Sequence, residues 1–182
     1  MEAVLEELRG QLAIMEVVEI ETRRADSADA EAITAAHIDS IESIGPRFYP
    51  PELVDVWKAG LKPDVYLQAM REGEVFFIAI GCIHGESTVL GFATHRVDDA
   101  QDGVSVYVRG VAARHGIGTR LLRLAEEHAR EHGATSIEIQ ASLAGVDFYK
   151  ANGFEELSAG EALLMSGRSM PCVFMRKRLS VC

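Results

Sequence analysis

The sequence is poor in the features that would place it in a special class. It has three cysteines in 182 residues, Cys82, Cys172 and Cys182, an odd number at wide spacing. That pattern argues against a disulfide framework and against a zinc site. It points to reduced thiols in a cytoplasm and to no bound metal. No apolar run approaches the roughly 20 residues that cross a bilayer. The opening stretch MEAVLEELRGQLAIMEVVEI carries five glutamates and lacks the basic start of a secretion signal. Neither signal points to a membrane. Basic charge is the scarce sign: 18 Lys and Arg stand against 28 Asp and Glu, a net charge of -10. Nucleic acid as the main partner is thereby disfavoured, while a cationic substrate is compatible. There is no internal repeat, no low-complexity stretch and no evident linker. Hydrophobic residues at 48% and this length suffice for one domain with a full core.

The periodicity predicts an α+β (mixed α/β) chain. Residues 2–13 read as an amphipathic helix, an N-terminal extension over 1–15 ahead of a single domain over 16–182. Residues 16–24 alternate like a strand. Asp26-Ser27-Ala28-Asp29 supplies short polar caps and early acids for a helix running to residue 43, where Gly45-Pro46 stops it. Short helices follow over 52–60 and, after Pro63, over 64–73. Apolar, β-branched runs at 75–83 and 88–97 flank the polar turn 84–87, a hairpin signal. Residues 104–108, VSVYV, form another strand. A helix over 117–132 ends at Gly133. A strand at 136–141, a short helix at 146–151 and a last strand at 172–178 complete the order. The centre of the chain, 104–141, is therefore a strand–helix–strand unit.

The most telling stretch is RGVAARHGIGTRLLRLAEEHA, residues 109–129. Gly116-Ile117-Gly118 lies between a strand and a long helix. A helix start leaves about four backbone N–H groups unpaired, and the helix dipole adds positive charge. Glycine removes the Cβ that would keep an anion away. Arg114 and His115 precede the turn, and Arg109 and Arg120 flank it, a local basic cluster in an acidic chain. A phosphate is the expected guest. The dinucleotide fingerprint wants a third glycine where Leu121 stands, yet Glu138 lies about twenty positions on. A nicotinamide or flavin reading thus stays open at this point. A P-loop is excluded, because no Gly-Lys-Ser/Thr follows.

The stretch resembles the acetyl-coenzyme A motif of the GNAT superfamily of N-acetyltransferases: Gln or Arg, two residues, Gly, one residue, then Gly or Ala. In the frame Ala113-Arg114-His115-Gly116-Ile117-Gly118 both glycines match. Ala113 stands at the Gln/Arg position, and Gly110 stands where proline is frequent. Downstream, SLAGVDFYKANGFEEL resembles the family's second signature through Tyr149 and Gly153-Phe154, with Ser142 where Asn is frequent. The resemblance covers roughly residues 16–178.

The resemblance implies a GNAT acyl-CoA N-acyltransferase fold, a central, mixed but mostly antiparallel sheet flanked by helices. It implies acetyl-CoA as co-substrate and transfer of acetyl to a primary amine of a small molecule or peptide, by direct attack in a ternary complex. The strand before the turn, Val106 to Val108, would splay and pair with the pantetheine amides. Arg114, His115, Gly116, Ile117, Gly118, Thr119 and Ser142 would hold the rest of the coenzyme. Tyr149 occupies the general-acid position. Glu138 is the candidate base, acting through water. The acceptor site would lie between residues 41–57 and 158–171, with Phe48, Tyr49 and Trp57 as candidate walls and Asp39, Glu42 and Glu52 as candidate cation attractors. Both segments read as irregular. His95 reads as structural, and Cys82 and Cys172, with no paired His and Asp nearby in sequence, read as small core residues. Exposed sheet edges are compatible with a homodimer. The competing function is a coenzyme-binding sensor or interaction module without catalysis, left open by Ala113 and Ser142.

Overall fold

The computed structural model describes residues 20–98 and 101–180. The expected helix at 2–13, residues 16–19 of the expected first strand, and Val181-Cys182 lie outside them. The described chain begins with β1 (Glu21–Arg24). A 3-10 turn follows, where Asp26 and Asp29 form a reciprocal capping box. Asp29 also takes two 2.7 Å hydrogen bonds from Arg23. This double use fixes where α1 (Ala30–Ile44) starts. Pro51 and Pro63 open α2 (Pro51–Lys58) and α3 (Pro63–Arg71), where a missing N–H costs nothing.

Next come β2 (Val75–Ile83), β3 (Glu86–Asp98) and β4 (Gln101–Val108), each antiparallel to its neighbour. Helix α4 (Ile117–Glu131) leads to β5 (Ser136–Ser142), and α5 (Val146–Ala151) leads to β6 (Glu155–Leu163) and β7 (Ser169–Arg178). The strands form two antiparallel sheets, β1-β2-β3-β4 and β5-β7-β6. They abut at β4 and β5.

Two apolar clusters cover opposite faces. On one, α4 lays Leu121, Leu122, Ala125 and Ala129 against Ala93, Val104, Ile137 and Met175. On the other, Ile33 and Ala36 of α1 meet Ile78, Phe92 and Tyr66 of α3. The α4 stripe recurs every three to four residues, and the strands change face at every residue, so each element buries one side.

Two expectations need correction. Residues 155–163 form a full strand, so the chain closes with the β6–β7 hairpin, and the region 158–171 is largely regular. The run EELSAGEAL is exposed along nearly its whole length and lacks the alternation that marks a half-buried strand. Pairing with β7 alone holds it extended. Cys82 is half-buried and no core residue, whereas Cys172 is 1% exposed.

Candidate active site

The site begins where the two sheets part. Among the described residues no ladder joins β4 to β5, so the β5-facing edge of β4 has no strand partner. A cleft of about 1170 Å³ opens there. Val106 and Val108, both half-buried, line it on β4, and Ser142 lines it at the end of β5.

Bulge and loop geometry set the end of β4. The β2–β3 register shifts beside Ala79, where Leu90 is the extra residue. Bulges of this kind bend a strand and redirect its neighbours. The Arg109 N–H then bonds the Leu90 carbonyl at 2.8 Å, and the Arg109 side chain reaches the Val89 carbonyl and Asp39. Arg109 is therefore committed to the fold. So is Arg120, whose guanidinium donates to the Ile20 carbonyl. The expected basic cluster reduces to Arg114 and His115, both exposed. Arg114, at φ 68°, and Thr119 line the cleft.

Gly116 is the N-cap of α4 at φ 76°, a left-handed conformation that costs a side-chain-bearing residue about 1 kcal/mol or more. No side chain caps the helix start. Its first N–H groups, from Ile117 onward, thus face the loop without a protein cap. Gly118 serves differently: a Cβ there would sit 3.0 Å from the Phe148 ring. The Ile117 side chain is 2% exposed and anchors the helix in the core, so only its backbone is available to a ligand. An anionic coenzyme fits this end of the cleft.

Tyr149 is buried at 7% exposure and packs edge-on against Phe148 and Phe154. Phe148, its neighbour on α5, is the more exposed of the two. Burial pushes the Tyr149 phenol far above its ordinary range, Tyr107 adds to this, and the Val106 backbone amide pulls against it. The hydroxyl thus sits at the parted edge of β4 and stays protonated at neutral pH.

The α1 side of the cleft holds groups that the sequence did not announce. His37 Nδ1 lies 2.8 Å from the Tyr66 hydroxyl, and its ring stacks obliquely on Tyr107 at 3.7 Å. Its Nε2 is buried without a partner. Burial pushes His37 down to about 3 and Tyr107 up to about 12, so both are neutral. His37 shares the buried face of α1 with Ile33, Ser40 and Ile41, and this core phase was its only sequence signal.

The other candidates divide. Glu138 lines the cleft on β5, and its carboxylate accepts the Arg176 Nε–H at 2.7 Å. Asp39 bonds Gly110 and Arg109, and Glu42 bonds Lys58 at 2.7 Å, so neither is a free cation site. Phe48 and Trp57 line the cleft. Tyr49 does not: it is 5% exposed, donating to the Pro171 carbonyl and accepting the Leu143 N–H. It pins three segments together. His95 lies in the core between Asp102 and His128, bonded to both. Among the described residues no group of three or more His, Cys, Asp or Glu is placed to hold a metal ion. No described helix is long and apolar enough to cross a membrane.

The sequence model of the acetyltransferase (GNAT) family matches residues 38–154. No curated protein matches the chain. Solved structures share the fold. A GCN5-related N-acetyltransferase from Rhodopseudomonas palustris superposes with a TM-score of 0.75 at 22% identity, over 91% of this chain and 99% of that one. The PaiA N-acetyltransferase from Thermoplasma acidophilum, in complex with coenzyme A, gives 0.71 at 18% identity, over 89% and 100%. A phosphinothricin acetyltransferase from Sinorhizobium meliloti, in complex with acetyl-CoA, gives 0.63 at 21% identity, over 90% of each chain.

Proposed function

The chain belongs to the acetyltransferase (GNAT) family, and on that premise we propose that it moves an acetyl group from acetyl-coenzyme A to a primary amine of a small molecule or peptide, by direct attack in a ternary complex. One observation carries the reading. The unpaired edge of β4 runs into an uncapped, glycine-lined helix start, and a buried, protonated tyrosine stands against that edge.

Each residue then has a task. Backbone groups of Val106 and Val108 offer the pantetheine amides the hydrogen bonds that β5 does not take. The N–H groups of Ile117, Gly118 and Thr119 hold the pyrophosphate with the helix dipole behind them. Arg114 and His115 add positive charge at the mouth, and Ser142 borders the arm. The coenzyme supplies a thioester carbonyl for the amine to attack. The Val108 N–H donates to the oxygen as negative charge grows there, the usual largest contribution in acyl transfer. Tyr149 gives its proton to the departing thiolate. Glu138 is on the acceptor face of β5 and draws the amine proton through water.

Calorimetric titration with acetyl-CoA tests the first half, and thiol release across an amine panel tests the second. Micromolar binding with turnover is the expected result. Absence of binding sinks the reading.

A further inference from the structure

Seven large hydrophobic residues are exposed among the described ones: Ile44, Phe48, Val97, Val111, Leu157, Leu163 and Met165. Five of them, all but the two valines, line the same cleft. Such a concentration is not the scatter of single apolar residues that any surface carries. They come from two separate places. Ile44 and Phe48 lie at the end of α1, while Leu157, Leu163 and Met165 belong to the β6–β7 hairpin. Leu163 is 75% exposed and Met165 64% exposed. The β6 ladder shifts register between Glu156 and Ser158, so Leu157 is a bulged residue turned out of the regular pairing. The hairpin tip also reaches the α2 side: a Cβ on Gly60 would lie 3.2 Å from Met165 Cβ.

The charges of the cleft point the same way. Its carboxylates are Asp102, Glu138 and Asp147. Asp102 is bonded to His95, and Glu138 to Arg176. Asp147 lies on α5, the coenzyme side of the sheet. A polycation therefore finds no open acidic cluster on the acceptor side, despite the net charge of -10.

We infer that the acceptor is a primary amine carried on an apolar body, alkyl or aryl, seated between the end of α1 and the β6–β7 hairpin. The inference rests on the acetyltransferase reading above and narrows its acceptor. The cleft continues into the parted edge of β4, so a substrate in this groove presents its amine to the transfer point.

The test compares kcat/KM for hexylamine, 2-phenylethylamine, leucine amide, spermidine and kanamycin, with acetyl-CoA saturating. The apolar amines are expected to exceed spermidine and kanamycin by about tenfold or more. The double variant Leu163→Ser/Met165→Ser changes two exposed side chains and should fold normally. It is expected to raise KM for 2-phenylethylamine by about tenfold and to leave calorimetric binding of acetyl-CoA unchanged. Sedimentation of both proteins and a run with hexanoyl-CoA complete the set. Polyamine turnover equal to or above that of the apolar amines overturns the inference. So does a variant whose only change is loss of a dimer, which would assign the patch to a second copy. So does a loss confined to hexanoyl-CoA, which would assign it to the acyl chain. Acetyl-CoA binding with no preference among amines fails this inference alone; absence of acetyl-CoA binding fails the underlying reading with it.

Discussion

The Asp39 carboxylate on α1 accepts the backbone N–H of Gly110 at 2.8 Å. This bond ties α1 to the loop that leads into Gly116. It explains the glycine at 110 as well. A Cβ there would lie 2.5 Å from Ser43 Cβ, closer than any relaxed contact. Gly110→Ala is expected to cost about 1–3 kcal/mol in denaturant unfolding, as overpacking does. It should weaken acetyl-CoA binding too, because the loop must lift from α1. Adding Ser43→Gly removes the obstructing atom and should restore part of both losses.

The two glycines of the turn answer to different changes. Gly116→Ala meets the left-handed penalty, about 1–2 kcal/mol of stability. Gly118→Ala meets the Phe148 ring at 3.0 Å and keeps an ordinary backbone. Pairing Gly118→Ala with Phe148→Leu should relieve the crowding, whereas no neighbouring substitution should relieve Gly116→Ala. Thermal melts and acetyl-CoA titration of the three variants check this.

Tyr149→Phe removes the hydroxyl proposed as the proton donor and keeps the ring that packs on Phe148 and Phe154. Loss of a general acid is typically worth about 10²-fold or more in kcat. The expected outcome is that loss with acetyl-CoA affinity nearly unchanged. Because the phenol of Tyr149 is held far above its ordinary range, the wild-type rate should show no loss of this acid up to pH 9. An unchanged kcat in the variant would remove Tyr149 from the mechanism.

Glu138→Gln keeps the size of the side chain and removes the charge that Arg176 meets. As a base acting through water, Glu138 should be worth about 10²-fold in kcat/KM near neutral pH. The loss should shrink as pH rises and the amine deprotonates by itself. A pH-independent loss would assign Glu138 to structure through Arg176.

His37 links the cleft to acid stability. Its ordinary value of 6.5 is pushed down to about 3 by burial. Below about pH 6.5 the unfolded chain takes up a proton that the folded chain refuses until pH 3. Stability is therefore lost as pH falls through that window, by at most about 1.4 kcal/mol per pH unit from this group. Above pH 6.5 the group adds no pH dependence. His37→Gln should flatten the stability profile between pH 6.5 and 4, measured by urea unfolding at stepped pH.

Much of the fold was legible because its signals are local. The α4 stripe, the prolines at 51 and 63, and the short polar residues at 26–29 each report on their own few neighbours. The glycine turn was legible for the same reason, since an uncapped helix start needs only its own backbone. Strand β6 was not, because an edge strand exposed along its length carries no apolar alternation. The basic cluster around the turn was misjudged at Arg109 and Arg120. Their partners, Asp39 with the Val89 carbonyl and the Ile20 carbonyl, lie 20 to 100 residues away in the chain.

The sequence by itself determined the strand–helix–strand unit, the place where a phosphate would meet a helix, and the tyrosine set near it. Periodicity and glycine chemistry act over a few residues, so one dimension is enough to specify them. Only the tertiary structure decided that β4 and β5 part, that Tyr149 is more buried than Phe148, and that five apolar side chains from two distant segments face one cleft. Those facts depend on which surfaces remain after every element has buried its apolar side. That remainder is a property of the packed whole, and no single stretch of the chain encodes it.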